Sequence, residues 1–251
     1  MTDPLPRIFV GTMYTQEGEF EGCLKQIRGQ KGVIVAHVII SGLREKEAHN
    51  ALWHAWRHQG SSHDVFVKVD ADTVLASPNT LADIAALFKA NPRVTGLQAP
   101  LQDYMTDSLI NGLNAFSTKV VFNDTQDELY CDRQVDTNHD IVLREKDLPA
   151  SLIPAGFHCW NSTDQQAFHY GVHRTLKGQK ATIEKLQAAW ERDHDQARAY
   201  ALIGVRLAHR FATSRKFNYG DELFQATFEE AQRSYDEFTQ SFAAGRYDRV
   251  R

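Results

Sequence analysis

Val65-Phe-Val-Lys-Val-Asp70-Ala-Asp72-Thr73 decides the fold. Apolar side chains at 65, 66, 67 and 69 make a short buried strand, and two carboxylates follow at its carboxyl end. Side chains two apart on a strand project to one side, so Asp70 and Asp72 are expected to act together. Paired carboxylate oxygens suit a hard divalent cation such as Mg²⁺ or Mn²⁺. The bland alternative is a capping cluster ahead of the helix that Ser77-Pro78 introduces. A second Asp-x-Asp, Asp193-His-Asp195, sits in a helical context, where residues two apart diverge; it reads as a solvated helix face.

The flanking sequence repeats one pattern. Arg7-Ile-Phe-Val-Gly-Thr-Met-Tyr14 reads as a strand, Glu19 to Arg28 as a helix, and Val33-Ile-Val-Ala-His-Val-Ile-Ile40 as a strand covered on both faces. Glu45 to His58 is helical, Leu81 to Lys89 helical, and Val94 to Ala99 a fourth strand. Alternating strands and helices predict an α/β fold, Rossmann-like, with a mostly parallel sheet flanked by helices. Asp107 to Thr118 is expected to be helical, Glu128 to Val142 strand-like and polar, and Pro149 to Thr163 irregular. From Gln179 onward the chain reads as a helical C-terminal extension, which divides it into residues 1–178 and 179–251. Phe224, Phe228, Ala231, Tyr235, Phe238 and Phe242 form a stripe at helical spacing, read as core packing or as the seam of a homodimer.

Composition narrows the function. The chain has 251 residues, 42% of them hydrophobic, and a formal net charge of −4. That is enough apolar surface for a sizeable core, and too little positive charge to grip nucleic acid through its phosphates. No apolar run reaches the ~20 residues of a transmembrane helix. Cys23, Cys131 and Cys159 are widely spaced and form no C-x-x-C, and the first residues do not resemble a signal peptide. A cytoplasmic setting is therefore expected.

In an open α/β sheet, ligands bind beyond the carboxyl ends of the strands. The strand ending at Thr12-Met-Tyr14, the helix carrying Ala48-His-Asn50 and the strand ending at Asp70-Ala-Asp72 together resemble the nucleotide-sugar-dependent glycosyltransferases of GT-A fold, over roughly residues 7–177. The resemblance implies a metal-dependent transfer of sugar from a nucleoside-diphosphate sugar, with UDP-sugars favoured, to the hydroxyl of a glycan or other acceptor. It implies that Thr12, Tyr14 and Asn50 contact the nucleotide, with Lys68 and Asp70 beside them, and that Asp70 and Asp72 hold Mn²⁺ or Mg²⁺. It further implies a downstream histidine ligand, and His158 in Gly156-Phe-His-Cys-Trp-Asn-Ser-Thr163 fits. One departure is Ser41-Gly42, where the family commonly places a base-reading carboxylate.

Arg174 and Lys177 are candidates to balance the diphosphate. His169 and His173 share a helix face at a zinc-compatible spacing, without the glutamate of a metallohydrolase; ordinary helix residues are the bland reading. Asp132, Asp136 and Asp140 form the pool for a catalytic base, with Asp136 and Asp140 the candidates taken forward, although surface solvation explains them equally well. Three rivals are a sugar nucleotidyltransferase, a non-catalytic glycosyltransferase-like interaction subunit, and a zinc hydrolase built on His169 and His173. The first expects a basic glycine-rich loop after the first strand, and Gly11-Thr-Met-Tyr-Thr-Gln-Glu-Gly18 carries no Lys or Arg.

Overall fold

The computed structural model describes residues 4–59, 62–131, 135–215 and 217–243. Among the described residues the strands are β1 Arg7–Tyr14, β2 Ile34–Ser41, β3 Val65–Lys68, β4 Thr73–Leu75, β5 Gly96–Asp103, β6 Ser108–Ser117, β7 Val121–Phe122, β8 Val135–Thr137, β9 Val142–Leu143 and β10 Gly156–His158. The α-helices are α1 Phe20–Arg28, α2 Glu45–Gln59, α3 Thr80–Ala90, α4 Asp164–Leu176, α5 Lys180–Asp193, α6 Gln196–Leu207, α7 Glu222–Arg233 and α8 Tyr235–Ala243. The chain forms two compact units, Met1–Asp103 with Leu109–Trp160, and Tyr104–Ser108 with Asn161–Arg251. The division falls after Trp160, so α4 packs with the later helices.

In the first unit the strand order is β2-β1-β3-β6-β5-β10-β4, with β9 on β5. Period-two alternation splits the core between the two faces of the sheet. Ile8, Val10, Val65 and Val67 pack with Cys23 and Ile27 of α1 and Leu81 and Ile84 of α3. Phe9 and Phe66, one residue out of phase, pack with Leu52, Trp53 and Trp56 of α2.

Four expectations are corrected. The sheet is mixed: β1 is parallel to β2 and β3, but β6 lies antiparallel beside β3, and β10 is antiparallel to β4. The segment read as a helix over 107–118 is β6, and the fourth strand of the parallel series is separated from β3 by it. The apolar run of β2 forms an edge strand that pairs, among the described residues, with β1 alone, and its residues are half-buried or exposed. Finally, β3 ends at Lys68, and Thr73 N donates to Asp70 O across a turn, so the turn rather than strand pleating sets the two carboxylates.

In the second unit, α4 and α6 cross at their glycines. A Cβ on Gly171 would lie 1.8 Å from the Ala201 carbonyl oxygen, and one on Gly204 would lie 2.1 Å from that of Phe168. Only glycine permits such backbone approach. Phe168 meets Phe224 and Phe228 of α7 at 5.5 and 5.6 Å between ring centroids, so the front of the aromatic stripe is core. The stripe is not one helix: α7 stops at Arg233 and α8 carries Tyr235 and Phe238, the latter under the Arg206 guanidinium. The Phe242 side chain lies outside the described residues.

The Asp193/Asp195 pair sits at the junction of α5 and α6. Asp195 caps α6 by accepting from Arg198 N (3.1 Å) and also accepts from Tyr104 Oη (2.9 Å). Buried Arg198 ion-pairs with Asp193, lies over the Tyr104 ring and donates through Nη2 to the Tyr104 carbonyl (2.6 Å). These carboxylates are capping and pairing groups rather than a solvated face.

Candidate functional site

Strand register builds the site at one end of the first unit's sheet. In β10, His158 pairs with Asp103 of β5 on one side and with Thr73 of β4 on the other. Asp72 precedes Thr73, so the register delivers a carboxylate to each side of the imidazole. His158 Nδ1 lies 2.7 Å from Asp103 Oδ1, and Nε2 lies 3.3 Å from Asp72 Oδ2. Asp103 is fully buried. A buried carboxylate on Nδ1 fixes the ring and leaves Nε2 for a ligand, the usual support of a metal-binding histidine.

Cys159 completes the group. Its Sγ is 3.7 Å from Asp72 Oδ2 and 3.6 Å from His158 Nε2, and the ligand atoms of Asp72, His158 and Cys159 all lie within 4.8 Å of one another. Cys159 has φ 55°, a left-handed conformation unusual for cysteine, held by its N–H donating to the Asp72 carbonyl (3.0 Å). Strained backbone of this kind concentrates at functional sites. Burial pushes the Cys159 thiol up to about 12, so it stays protonated at neutral pH. For His158, burial opposes the charge, yet Cys159, Asp72 and Asp103 together hold its pKa well above the ordinary value. With the thiol neutral, the two carboxylates carry that effect, and they favour a positive charge between them.

Asp70 is turned elsewhere. Lys68 Nζ reaches both its oxygens, at 2.6 and 2.8 Å, from a side chain only 7% exposed, while the Asp70 side chain is 38% exposed. The loop after β1 adds Glu17, whose Oε2 accepts from Thr15 N (2.7 Å) and Gln16 N (3.1 Å). Burial, reinforced by the charge of Asp72 and opposed by those backbone bonds, lifts its carboxyl to about 7.

The other sequence candidates distribute as follows. Thr12 is buried and its hydroxyl pairs with His37 Nε2 (2.9 Å). One face of the Tyr14 ring is covered by Phe20, stacked at 3.8 Å. Asn50 is engaged with the backbone of Thr125, accepting from its N–H (2.7 Å) and donating to its carbonyl (3.2 Å). Arg174 and Lys177 belong to the second unit, where Arg174 lies over the Tyr170 ring and donates to Gln179, and Lys177 ends α4. His169 and His173 do share a face of α4, with rings 5.7 Å apart beside Phe217, and neither belongs to a group of three metal-ligating side chains among the described residues. Asp140 is exposed between β8 and β9. Asp136 lies in β8 with its side chain outside the described residues, as is Asp132 altogether.

Asp103, Cys159 and Glu17 were not anticipated. Asp103 had a readable signal, since Leu101 and Asp103 continue the strand beyond Ala99; the other two depend on loop geometry. The donor set of carboxylate oxygen, imidazole nitrogen and thiol sulfur fits a divalent cation. Among the described residues, no helix is long and apolar enough to cross a membrane.

The sequence matches no family model, and no curated protein matches it. Among solved structures the chain is similar to the mannosyltransferase PcManGT from Pyrobaculum calidifontis in complex with GDP-Man and Mn2+, with a TM-score of 0.33 and 17% identity, over 96% of this chain and 85% of that chain. A likeness of that degree carries no argument about fold or function.

Proposed function

We propose that the chain is a divalent-metal-dependent glycosyltransferase that uses a nucleoside-diphosphate sugar. The observation that supports this reading best is the meeting of Asp72 and His158, residues far apart in sequence, with Nε2 3.3 Å from Oδ2 and Asp103 behind the ring. Both residues are expected ligands in the resemblance. Mn²⁺ or Mg²⁺ held there would neutralise the negative charge that develops on the leaving diphosphate.

The side chains divide the remaining work. Asp72 and His158 would hold the cation directly, with Asp103 on Nδ1 keeping Nε2 available to it. Asp70, with its charge balanced by Lys68, faces solvent at the rim and contacts the nucleotide side of the donor. Tyr14, at the carboxyl end of β1, lines the path to the base, as the resemblance implies, and Thr12 nearby is buried and paired with His37. Asp140 or Asp136 is proposed as the base, with UDP-sugars as donors. The exposed indole of Trp160, one residue beyond Cys159, offers a flat surface for a sugar ring.

Thermal unfolding with UDP, GDP, CDP and dTDP, each with Mn²⁺ and with EDTA, tests the proposal. A ligand that binds only the native state at one hundred times its dissociation constant adds about 2.7 kcal/mol. Stabilisation by one diphosphate, dependent on Mn²⁺, is expected. No stabilisation by any of the four, with or without Mn²⁺, returns the chain to the class of non-catalytic interaction subunits.

A further inference from the structure

A second group of metal-ligating side chains stands on the α2 side of the first unit. Glu45 and His49 are four apart in the first turns of α2, so their side chains share a face. Cys131 comes from the loop that follows β7. The three ligand atoms lie within 4.8 Å of one another. None of these residues takes part in the Asp72/His158 site, and the sequence showed no partner for His49.

The surroundings hold this trio in place from each direction. His49 Nδ1 is 2.8 Å from the Glu45 backbone carbonyl, so Nδ1 carries the proton and Nε2 presents its lone pair. The Asn50–Thr125 double hydrogen bond ties the loop to α2 on one side of the group. Asp127 then folds the loop back, accepting from Leu129 N (2.7 Å) and Tyr130 N (3.1 Å), and Lys46 ion-pairs with Glu128. Cys131 and His49 are buried, with Trp53 against the imidazole and Phe122 stacked on Trp53. The result is a carboxylate, an imidazole and a thiol, presented by a helix and a pinned loop under an apolar cover.

We propose that Glu45, His49 and Cys131 form a second cation site, selective for zinc. Sulfur and nitrogen donors in a dry setting favour Zn²⁺ over Mg²⁺ or Mn²⁺, and three protein ligands leave a fourth tetrahedral position for water. Bonds of about 2.0–2.3 Å place tetrahedral ligand atoms roughly 3.3–3.7 Å apart, so a group already within 4.8 Å closes by at most about 1.5 Å on binding. The Cys131 thiol now donates to the Asp127 carbonyl at 3.0 Å. On binding, the S–H bond breaks, its proton leaves to solvent, and the sulfur forms the bond to Zn²⁺.

Cobalt titration of the full chain tests this, because Co²⁺ substitutes for Zn²⁺ and gives a thiolate charge-transfer band only when cysteine binds it. The Cys159→Ser variant removes the thiol of the other site. One equivalent of Co²⁺ is expected to produce the band in wild-type and Cys159→Ser proteins, Zn²⁺ is expected to abolish it, and the Cys131→Ser/Cys159→Ser double variant is expected not to show it. Glu45→Gln, at the half-buried helix start, is expected to weaken Co²⁺ binding at least about ten-fold. Absence of the band from Cys159→Ser, or its persistence in the Cys131→Ser/Cys159→Ser double variant, overturns the site. Should the double variant lose its fold by circular dichroism, unchanged Co²⁺ affinity on adding Glu45→Gln to Cys159→Ser overturns it instead.

Discussion

The buried carboxylate of Asp103 lies 2.7 Å from His158 Nδ1, on the side of the ring away from Asp72. It is fully buried, and it does more for His158 than help hold the imidazole pKa up. Its position fixes which nitrogen faces the ligand. Asp103→Asn keeps the shape but weakens the acceptor. Mn²⁺ affinity should fall about 10–100-fold, read by calorimetric titration, while circular dichroism stays unchanged. Wild-type affinity in that variant would remove Asp103 from the positioning role.

Asp70 and Asp72 should separate in their effects. Asp72→Ala is expected to abolish sugar transfer and metal binding with little change in Tm. Asp70→Ala removes the carboxylate that the buried Lys68 ammonium reaches at 2.6 and 2.8 Å. Losing one side of a buried pair costs about 3–5 kcal/mol, and the partial exposure of Asp70 puts the expected loss at the lower end. Urea denaturation of the two variants distinguishes them. Equal stability would show that Lys68 does not depend on Asp70.

Glu17 gives a pH dependence with a definite sign. Its folded pKa is about 7 against 4.5 for the ordinary group. The folded chain therefore holds the extra proton between these values, and stability is lost as pH rises from about 4.5 to 7. Glu17→Gln removes the titration. In metal-free protein its stability advantage over wild type should be absent near pH 4, grow to at most about 3 kcal/mol by pH 8 and stay level above that. A pH-independent difference would refute this.

His37 and His139 act in the opposite direction. Burial holds both below the usual histidine value, with Arg28 and Arg144 respectively adding to the shift. Between the folded and unfolded values the unfolded chain binds more protons. Their contribution is complete above about pH 6.5 and is lost as pH falls below it. His37→Gln should flatten the acid side of a Tm-against-pH curve measured in the Glu17→Gln background.

The crossing of α4 and α6 should not tolerate a methyl group. Gly171→Ala and Gly204→Ala each drive a Cβ into a carbonyl oxygen, at 1.8 and 2.1 Å in the undisturbed backbone. Overpacking of this kind costs typically about 1–3 kcal/mol. Calorimetric melting should show the loss in both variants, and a wild-type Tm in either would mean that the helices separate freely.

How much of this was legible varies by residue. The β3 strand and the carboxylates beyond it were readable, because apolar runs, turn residues and chemistry all stand in the one-dimensional order, whereas His158 was reached only through the resemblance. β6 was not. Leu109, Leu113 and Phe116 imitate helical spacing, and the signal for a strand was Gly112, whose missing side chain admits Leu101 (a Cβ would lie 2.4 Å from Leu101 Cδ1). The nearness of Asp103 to His158 is a matter of register between strands more than fifty residues apart, which no local pattern encodes. Cys159 and the Glu45–His49–Cys131 group arise in the same way: a lone cysteine in an irregular stretch acquires neighbours only when loops fold.

Arg198 buries its guanidinium on Tyr104, and Tyr104 belongs to a five-residue excursion, 104–108, that leaves the first unit and returns to it. The two units are thus stitched rather than strung. A single cut after Trp160 does not release the helical unit whole, for it strips Arg198 of the carbonyl and the ring that cover it. Anyone wishing to graft, swap or express those helices must carry the stitch across with them.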